Sequence, residues 1–131
     1  MLSTYKYPKY EYVQPPEQKS GLKKRYPVLV VGAGPVGLAA AIELAQSGVP
    51  VVVLDDDDTV SVGSRGVCYA KRALEVLDRI GVGDDCVAKG VSWNVGRTFF
   101  REEEVYNFNL LPQADHKRPG MINLQQYYLE E

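Results

Sequence analysis

Three glycines and one carboxylate have the types and spacing to do chemistry: Gly32, Gly34 and Gly37 in Gly32-Ala33-Gly34-Pro35-Val36-Gly37, and Asp55, 18 residues past the last of them. A Gly-x-Gly-x-x-Gly turn that leaves a strand and opens a helix is suited to holding a pyrophosphate. Gly32 makes the sharp turn out of the strand. Gly34, lacking a Cβ, lets phosphate oxygens approach the backbone. Gly37 lets the helix pack close to the strand. Pro35 and Val36 fall in the first helical turn, where Pro35 loses little by lacking an N–H. The remaining N–H groups of that turn offer a partial positive charge to an anion. An acid about 20 residues on is placed to accept hydrogen bonds from the ribose hydroxyls of an adenosine. The bland alternative is a βαβ unit with a glycine turn and no ligand.

Asp55 opens the run Asp55-Asp56-Asp57-Asp58. Asp55 is assigned to the ribose and the other three to a solvated loop rather than a cation site. A 2′-phosphate would face several carboxylates there and no adjacent arginine, so the adenosine is expected to be unphosphorylated, as in FAD or NAD. Arg65, in Gly63-Ser64-Arg65-Gly66, is a cation on a glycine loop ahead of a helix. It suits a phosphate or an anionic ring system; a surface arginine is the equal alternative.

The elements that must position these groups follow from pattern. Tyr26 to Val31 is a continuously apolar strand, expected to be buried on both faces. Pro35 to Ser47 is a mostly apolar helix with Glu43, Gln46 and Ser47 on one stripe, closed by Gly48. Val51 to Leu54 is a second strand, parallel to the first. Asp55 to Gly66 is a loop. Ala70 to Ile80 is a helix with Ala70, Ala73, Leu74 and Leu77 on one face. Lys71–Glu75 and Glu75–Arg79 are candidate i,i+4 pairs, and Gly81 stops the helix. Val91 to Phe100 and Glu104 to Leu110 alternate as an antiparallel hairpin about Arg101-Glu102-Glu103. Leu111 to Gly120 is a loop, and Leu124 to Glu131 a third helix with Asn123 as N-cap. Met1 to Lys24 is polar, with Tyr5, Tyr7, Tyr10 and Tyr12 among prolines and lysines. It is expected to be an extended leader that lies across a partner surface or stays mobile.

Size and composition bound the answer. The chain has 131 residues, 45% of them apolar, and a formal net charge of −2. One domain's core is the most such a length supports. The charge balance points away from nucleic acid, and no apolar run reaches transmembrane length or forms a signal-peptide core. Cys68 and Cys86 lack CxxC spacing, and His116 is the single histidine. Two reduced, mostly buried thiols, a cytoplasmic setting and no metal are expected.

These segments together resemble the start of the FAD-dependent aromatic-ring monooxygenases, the p-hydroxybenzoate hydroxylase-like flavoproteins. The resemblance rests on Gly32-Ala33-Gly34-Pro35-Val36-Gly37-Leu38-Ala39, the strand ending on Asp55, and Gly63-Ser64-Arg65 before a helix. Asp78-Arg79-Ile80-Gly81, Val91-Ser92-Trp93-Asn94-Val95-Gly96 and Ile122-Asn123-Leu124-Gln125-Gln126-Tyr127-Tyr128 are most similar to the 3-(3-hydroxyphenyl)propionate hydroxylase type. The likeness runs from about residue 26 to 131.

The resemblance implies an α/β fold: a Rossmann-like FAD-binding βαβ unit with a parallel sheet, plus an antiparallel hairpin from an incomplete second domain. Residues 1–24 are then an extended leader, and 25–131 the N-terminal part of a truncated FAD-binding monooxygenase domain. Gly32, Gly34, Pro35, Val36 and Gly37 are expected at the FAD pyrophosphate, Asp55 at the adenosine ribose, and Arg65 towards the flavin. Gln126, in the Gln-x-x-Leu-Glu pattern of Gln126, Leu129 and Glu130, is expected to touch the cofactor, with Gln125 as the fallback. NAD(P)H would reduce the flavin, and O₂ would supply one oxygen atom to a small phenolic substrate. No nucleic acid or membrane partner is implied; a homo-oligomer is open.

The chain departs from the family pattern in having no Asp-Gly dipeptide, and its one Gly-Asp, Gly83-Asp84, reads as a loop. It is therefore expected to be the N-terminal part of a longer enzyme and inactive alone. Another FAD- or NAD-dependent oxidoreductase, or a nucleotide-free domain, are the competing identities.

Overall fold

The computed structural model describes residues 4–63 and 65–131. Ser64 of the Gly63-Ser64-Arg65 segment and the first three residues of the leader lie outside the described residues. In chain order the elements are α1 (Pro16–Ser20), β1 (Val28–Val31), α2 (Pro35–Gln46), β2 (Val51–Leu54), β3 (Cys68–Ala70) and α3 (Lys71–Arg79). There follow α4 (Gly83–Lys89), β4 (Val91–Trp93), β5 (Val95–Phe100), β6 (Glu103–Asn109), β7 (Met121–Asn123) and α5 (Gln126–Glu130).

The first three long elements form the expected unit. β1 and β2 pair in parallel, from Val28 opposite Val51 to Val31 opposite Leu54, with α2 between them in sequence and packed on both. The chain leaves α2 through Gly48 (φ 76°). Its N–H bonds the Ala45 carbonyl and that of Val49 the Leu44 carbonyl, the paired closure that needs a left-handed residue after the helix. Gly81 closes α3 in the same way onto Asp78, with Val82 bonding Leu77.

The core lies beside this unit rather than within it. Leu74, Leu77, Ile80, Cys86, Ile122 and Leu124 cluster, with Ala39 and Ile42 of α2 against them. The floor under them is an antiparallel sheet in the order β3-β7-β4. Its central strand, β7, falls between the loop expected to end at Gly120 and the helix expected to start at Leu124. Asn123 sits in β7 opposite Cys68 and Val91, so it caps no helix; Gln125 holds that position before α5. The run expected as one strand from Val91 to Phe100 breaks at Asn94. There the Asn94 carbonyl accepts the Leu110 N–H at 2.8 Å and its side-chain oxygen the Gly120 N–H at 2.7 Å. β4 therefore joins β7, while β5 pairs with β6 as the expected hairpin, with a register shift between Thr98 and Phe99.

Other expectations change for physical reasons. Gly83-Asp84 opens α4 instead of a loop, because Cys86 and Val87 find the apolar cluster under α3. Tertiary burial of one face outweighs weak local propensity. β1 is not buried on both faces: Leu29 is 58% and Val31 84% exposed. Ala41 is the one buried residue of α2. Cys68 is exposed and Cys86 buried. Arg79 pairs with Glu43 of α2 rather than with Glu75, which takes Lys71 and Arg72. Finally, the leader is not wholly extended: it contains α1, and its first described residues lie against the loop after β2.

Candidate dinucleotide site

The glycine turn has the geometry the motif requires. Gly32 has φ 101°, which an L side chain rarely adopts, and its N–H bonds the Leu54 carbonyl at 2.7 Å. A Cβ on Gly37 would stand 1.9 Å from the Gly32 carbonyl oxygen, so the helix can sit this close to the turn only without one. Gly34 is the N-cap of α2, in extended conformation. A Cβ there would meet nothing nearer than Glu130 Oε1, at 3.9 Å. It would instead project into the space that a ligand could take.

Pro35 follows at the first helical position and Val36 is 85% exposed. The Gly34 carbonyl accepts the Leu38 N–H at 2.9 Å. In the first turn the N–H groups of Val36 and Gly37 have no earlier helical carbonyl to bond, and no side chain caps them. That leaves donors and positive helix potential at the mouth of the turn.

Asp55 stands beside this turn. Its carboxylate accepts the N–H of Ala33, between the first two glycines, and the N–H of Asp57 at 2.9 Å. Those backbone bonds, Ala33 first, hold its pKa below the ordinary value despite some desolvation. It is therefore a fixed, ionised acceptor with lone pairs left over. The oxygens of Asp55, Asp56 and Asp57 lie within 4.8 Å of one another, all exposed. A 2′-phosphate beside them would meet concentrated negative charge.

A cavity of about 420 Å³ joins these groups. Ala33, Gly34 and Asp55 line it on one side, Ser61 and Glu130 on the other. The volume falls within the ordinary range for small-molecule sites. Gln126 approaches from α5, donating to Ser61 Oγ at 3.0 Å and to Glu130 Oε1 at 2.7 Å. Its side chain also borders Gly66, where a Cβ would lie 3.5 Å from Gln126 Oε1. Gln125 is exposed at the start of α5. Arg65 is exposed and makes no ion pair among the described residues.

The tertiary structure thus brings Gly34 and Asp55 to one cavity, with Gly32 and Gly37 in the turn beside it, while Pro35 and Val36 line a separate hollow against α3 and Gln126 reaches the cavity only through its bonds to Ser61 and Glu130. Two residues to which the sequence assigns no role of their own, Glu130 and Tyr10, also line the cavity. Glu130 accepts from the Ser61 N–H at 2.6 Å and from its hydroxyl at 2.8 Å, locking the loop after β2 to α5. Its i,i+4 relation to Gln126 is legible in the sequence; its partner 69 residues away is not. Tyr10, from the leader, lines the same cavity.

The sequence profile of a family described as FAD binding domain matches residues 25–131. This chain belongs to that FAD-binding domain family. Over 76 residues this FAD-binding domain is 43% identical to the 6-hydroxy-3-succinoylpyridine 3-monooxygenase HspB of Pseudomonas putida, taking in 54% of this chain and 19% of that protein. Over 85 residues it is 29% identical to the 3-(3-hydroxy-phenyl)propionate/3-hydroxycinnamic acid hydroxylase of Escherichia coli, covering 65% of this chain and 15% of that one. The crystal structure of p-nitrophenol 4-monooxygenase PnpA from Pseudomonas putida DLL-E4 matches with a TM-score of 0.71 and 34% identity, over 79% of this chain and 27% of that one. The FAD-binding domain described here therefore spans 15% to 27% of the length of these relatives. Its relatives are FAD-dependent monooxygenases of aromatic substrates, as the segment resemblance implied. No helix among the described residues is long and apolar enough to cross a membrane.

Proposed function

We propose that this chain forms the adenosine and pyrophosphate half of the FAD site in a flavin-dependent monooxygenase that hydroxylates a small phenolic ring with NAD(P)H and O₂. One observation carries this reading. The glycine turn opens Gly34, the uncapped start of α2, onto a cavity that Asp55 borders. In this assignment the turn and the start of α2 hold the pyrophosphate, and Asp55 accepts the ribose hydroxyls. Arg65 stands towards the flavin, and Gln126 touches the cofactor from α5. The bound flavin supplies the redox chemistry and the oxygen activation. The residues of this chain orient its adenosine end and set the charge around it. The clustered acids favour an adenosine without a 2′-phosphate.

The test is Gly34→Val, with flavin fluorescence quenching or calorimetry as the readout. A branched Cβ would fill the space that the pyrophosphate needs, while the extended backbone at Gly34 tolerates a side chain. FAD binding is expected to be lost with the circular dichroism spectrum unchanged. Unaltered FAD affinity would overturn the assignment. Tighter binding of NAD than of FAD by the wild type would point instead to a nicotinamide oxidoreductase.

A further inference from the structure

The N-terminal segment belongs to no element of the βαβ unit, yet it is anchored where the cofactor assignment places the adenosine. The Tyr10 N–H bonds the Asp58 carbonyl at 2.7 Å, and Thr59 Oγ1 donates to the Pro8 carbonyl at 2.6 Å. The Tyr7 hydroxyl accepts the Gly63 N–H at 3.1 Å. The Tyr5 hydroxyl donates to Glu131 at 3.0 Å, and its ring lies 4.2 Å from that of Tyr127. Every one of these contacts goes to the loop after β2 or to the C-terminal end of the chain. These are the two segments that Glu130 joins across the cavity.

The anchoring sets where Tyr10 falls. Its backbone is tied three residues from Asp55, and it lines the cavity together with Ala33, Gly34 and Asp55. It is 53% exposed, and it takes no part in the ring cluster of Tyr5, Tyr7, Tyr127 and Tyr128. A ribose held at Asp55 places its purine within reach of this wall. An aromatic face on a purine is a sequence-tolerant, stabilising stack.

Resting on the FAD assignment, we propose that the segment from Tyr5 to Tyr10 is a built wall of the nucleotide site and that Tyr10 stacks on the adenine ring. The ligand chemistry is an adenine nucleotide, so ADP should engage it as FAD does.

The experiment titrates the chain with ADP and with FAD by calorimetry, in the wild type and in Tyr10→Ala, Tyr10→Phe and Tyr12→Ala. Tyr12 lies beyond the anchored stretch and is 75% exposed. Tyr10→Ala is expected to weaken both ligands about tenfold. Tyr10→Phe keeps the ring and should bind both like the wild type, as should Tyr12→Ala. In the wild type, ADP should slow tryptic cleavage after Lys9, a readout independent of any variant's folding. If the wild type binds both ligands but Tyr10→Ala is unchanged, or ADP leaves cleavage at Lys9 unaltered, the wall is disproved while the FAD assignment stands. If the wild type binds neither ligand, both fall together.

Discussion

Asp55 shows how one residue can serve the fold and a ligand together. Its carboxylate takes N–H groups from Ala33 and Asp57, and so fastens the glycine turn to the end of β2. Because those bonds favour the charged form, its pKa is lowered. The contribution is thus present above the ordinary carboxylate value and lost only as pH falls through the lowered one. Asp57 contributes its backbone N–H, which substitution leaves in place. Asp55→Ala is therefore expected to weaken adenosine binding by about 1.5–3 kcal/mol, the range for a hydrogen bond to a charged group. Asp57→Ala should change it by less than about 0.5 kcal/mol, as exposed substitutions do. Calorimetry with ADP separates them, and equal losses would show that the acid run acts as a unit.

Elements α3 and α4 are held to the loop before β7 by two neighbouring cations, of which Arg118 is buried and Lys117 exposed. Arg118 is 5% exposed. Its Nε donates to Asp78 Oδ2 at 2.7 Å and its terminal nitrogen to Asp84 Oδ1 at 2.6 Å. Lys117 adds a bond to Asp78 at 3.2 Å. The Arg118 side chain is the main reason the Asp78 pKa falls from 3.8 to about 2. A group with a depressed pKa stabilises fully above its unfolded value and loses that contribution as pH falls through the folded one. The clamp should hold at pH 4 and open as pH drops towards 2. Arg118→Ala takes the buried partner from two carboxylates, leaving them only the exposed Lys117, and should lower Tm by on the order of 5 °C or more. It should also flatten the acid limb of a stability-against-pH curve between about 4 and 2. An unchanged acid limb would mean that the clamp carries no linkage. Nothing in the spacing of Asp78, Asp84 and Arg118 reveals this triad, since Arg118 lies 40 and 34 residues from the two acids.

At the scale of the molecule, the buried cluster occupies one side and several large apolar side chains face outward. Val31 is 84%, Phe100 64%, Leu29 58% and Phe99 56% exposed. Apolar surface of this extent favours association. The 131-residue chain alone is expected to grow in apparent size with concentration on size-exclusion chromatography. It should also show no substrate-dependent oxygen uptake with FAD, NADH or NADPH and hydroxyphenyl acids. Hydroxylation needs the reactive flavin atom held over its substrate in a dry pocket. The cavity described here is bordered by groups suited to phosphate and ribose. A hydroxylated product formed with matching oxygen uptake would show that the chain is competent by itself.

Local chemistry decided the βαβ unit. Gly32-Ala33-Gly34-Pro35-Val36-Gly37, the apolar strands on either side of α2 and the acid at 55 act over short stretches of chain. Their backbone constraints are therefore written into residue type. The helix ends at Gly48 and Gly81 were legible for the same reason. Tertiary contact decided the rest. β7 is three residues long and becomes a strand because Val91–Trp93 and Cys68–Ala70 flank it. α4 forms because Cys86 reaches the apolar cluster. Glu130 meets Ser61, and Tyr10 the glycine turn's cavity, across 69 residues of chain and more than 20 respectively. Long-range pairs are selected by what the folded backbone brings within a few ångströms, and periodicity along a chain carries no record of that distance.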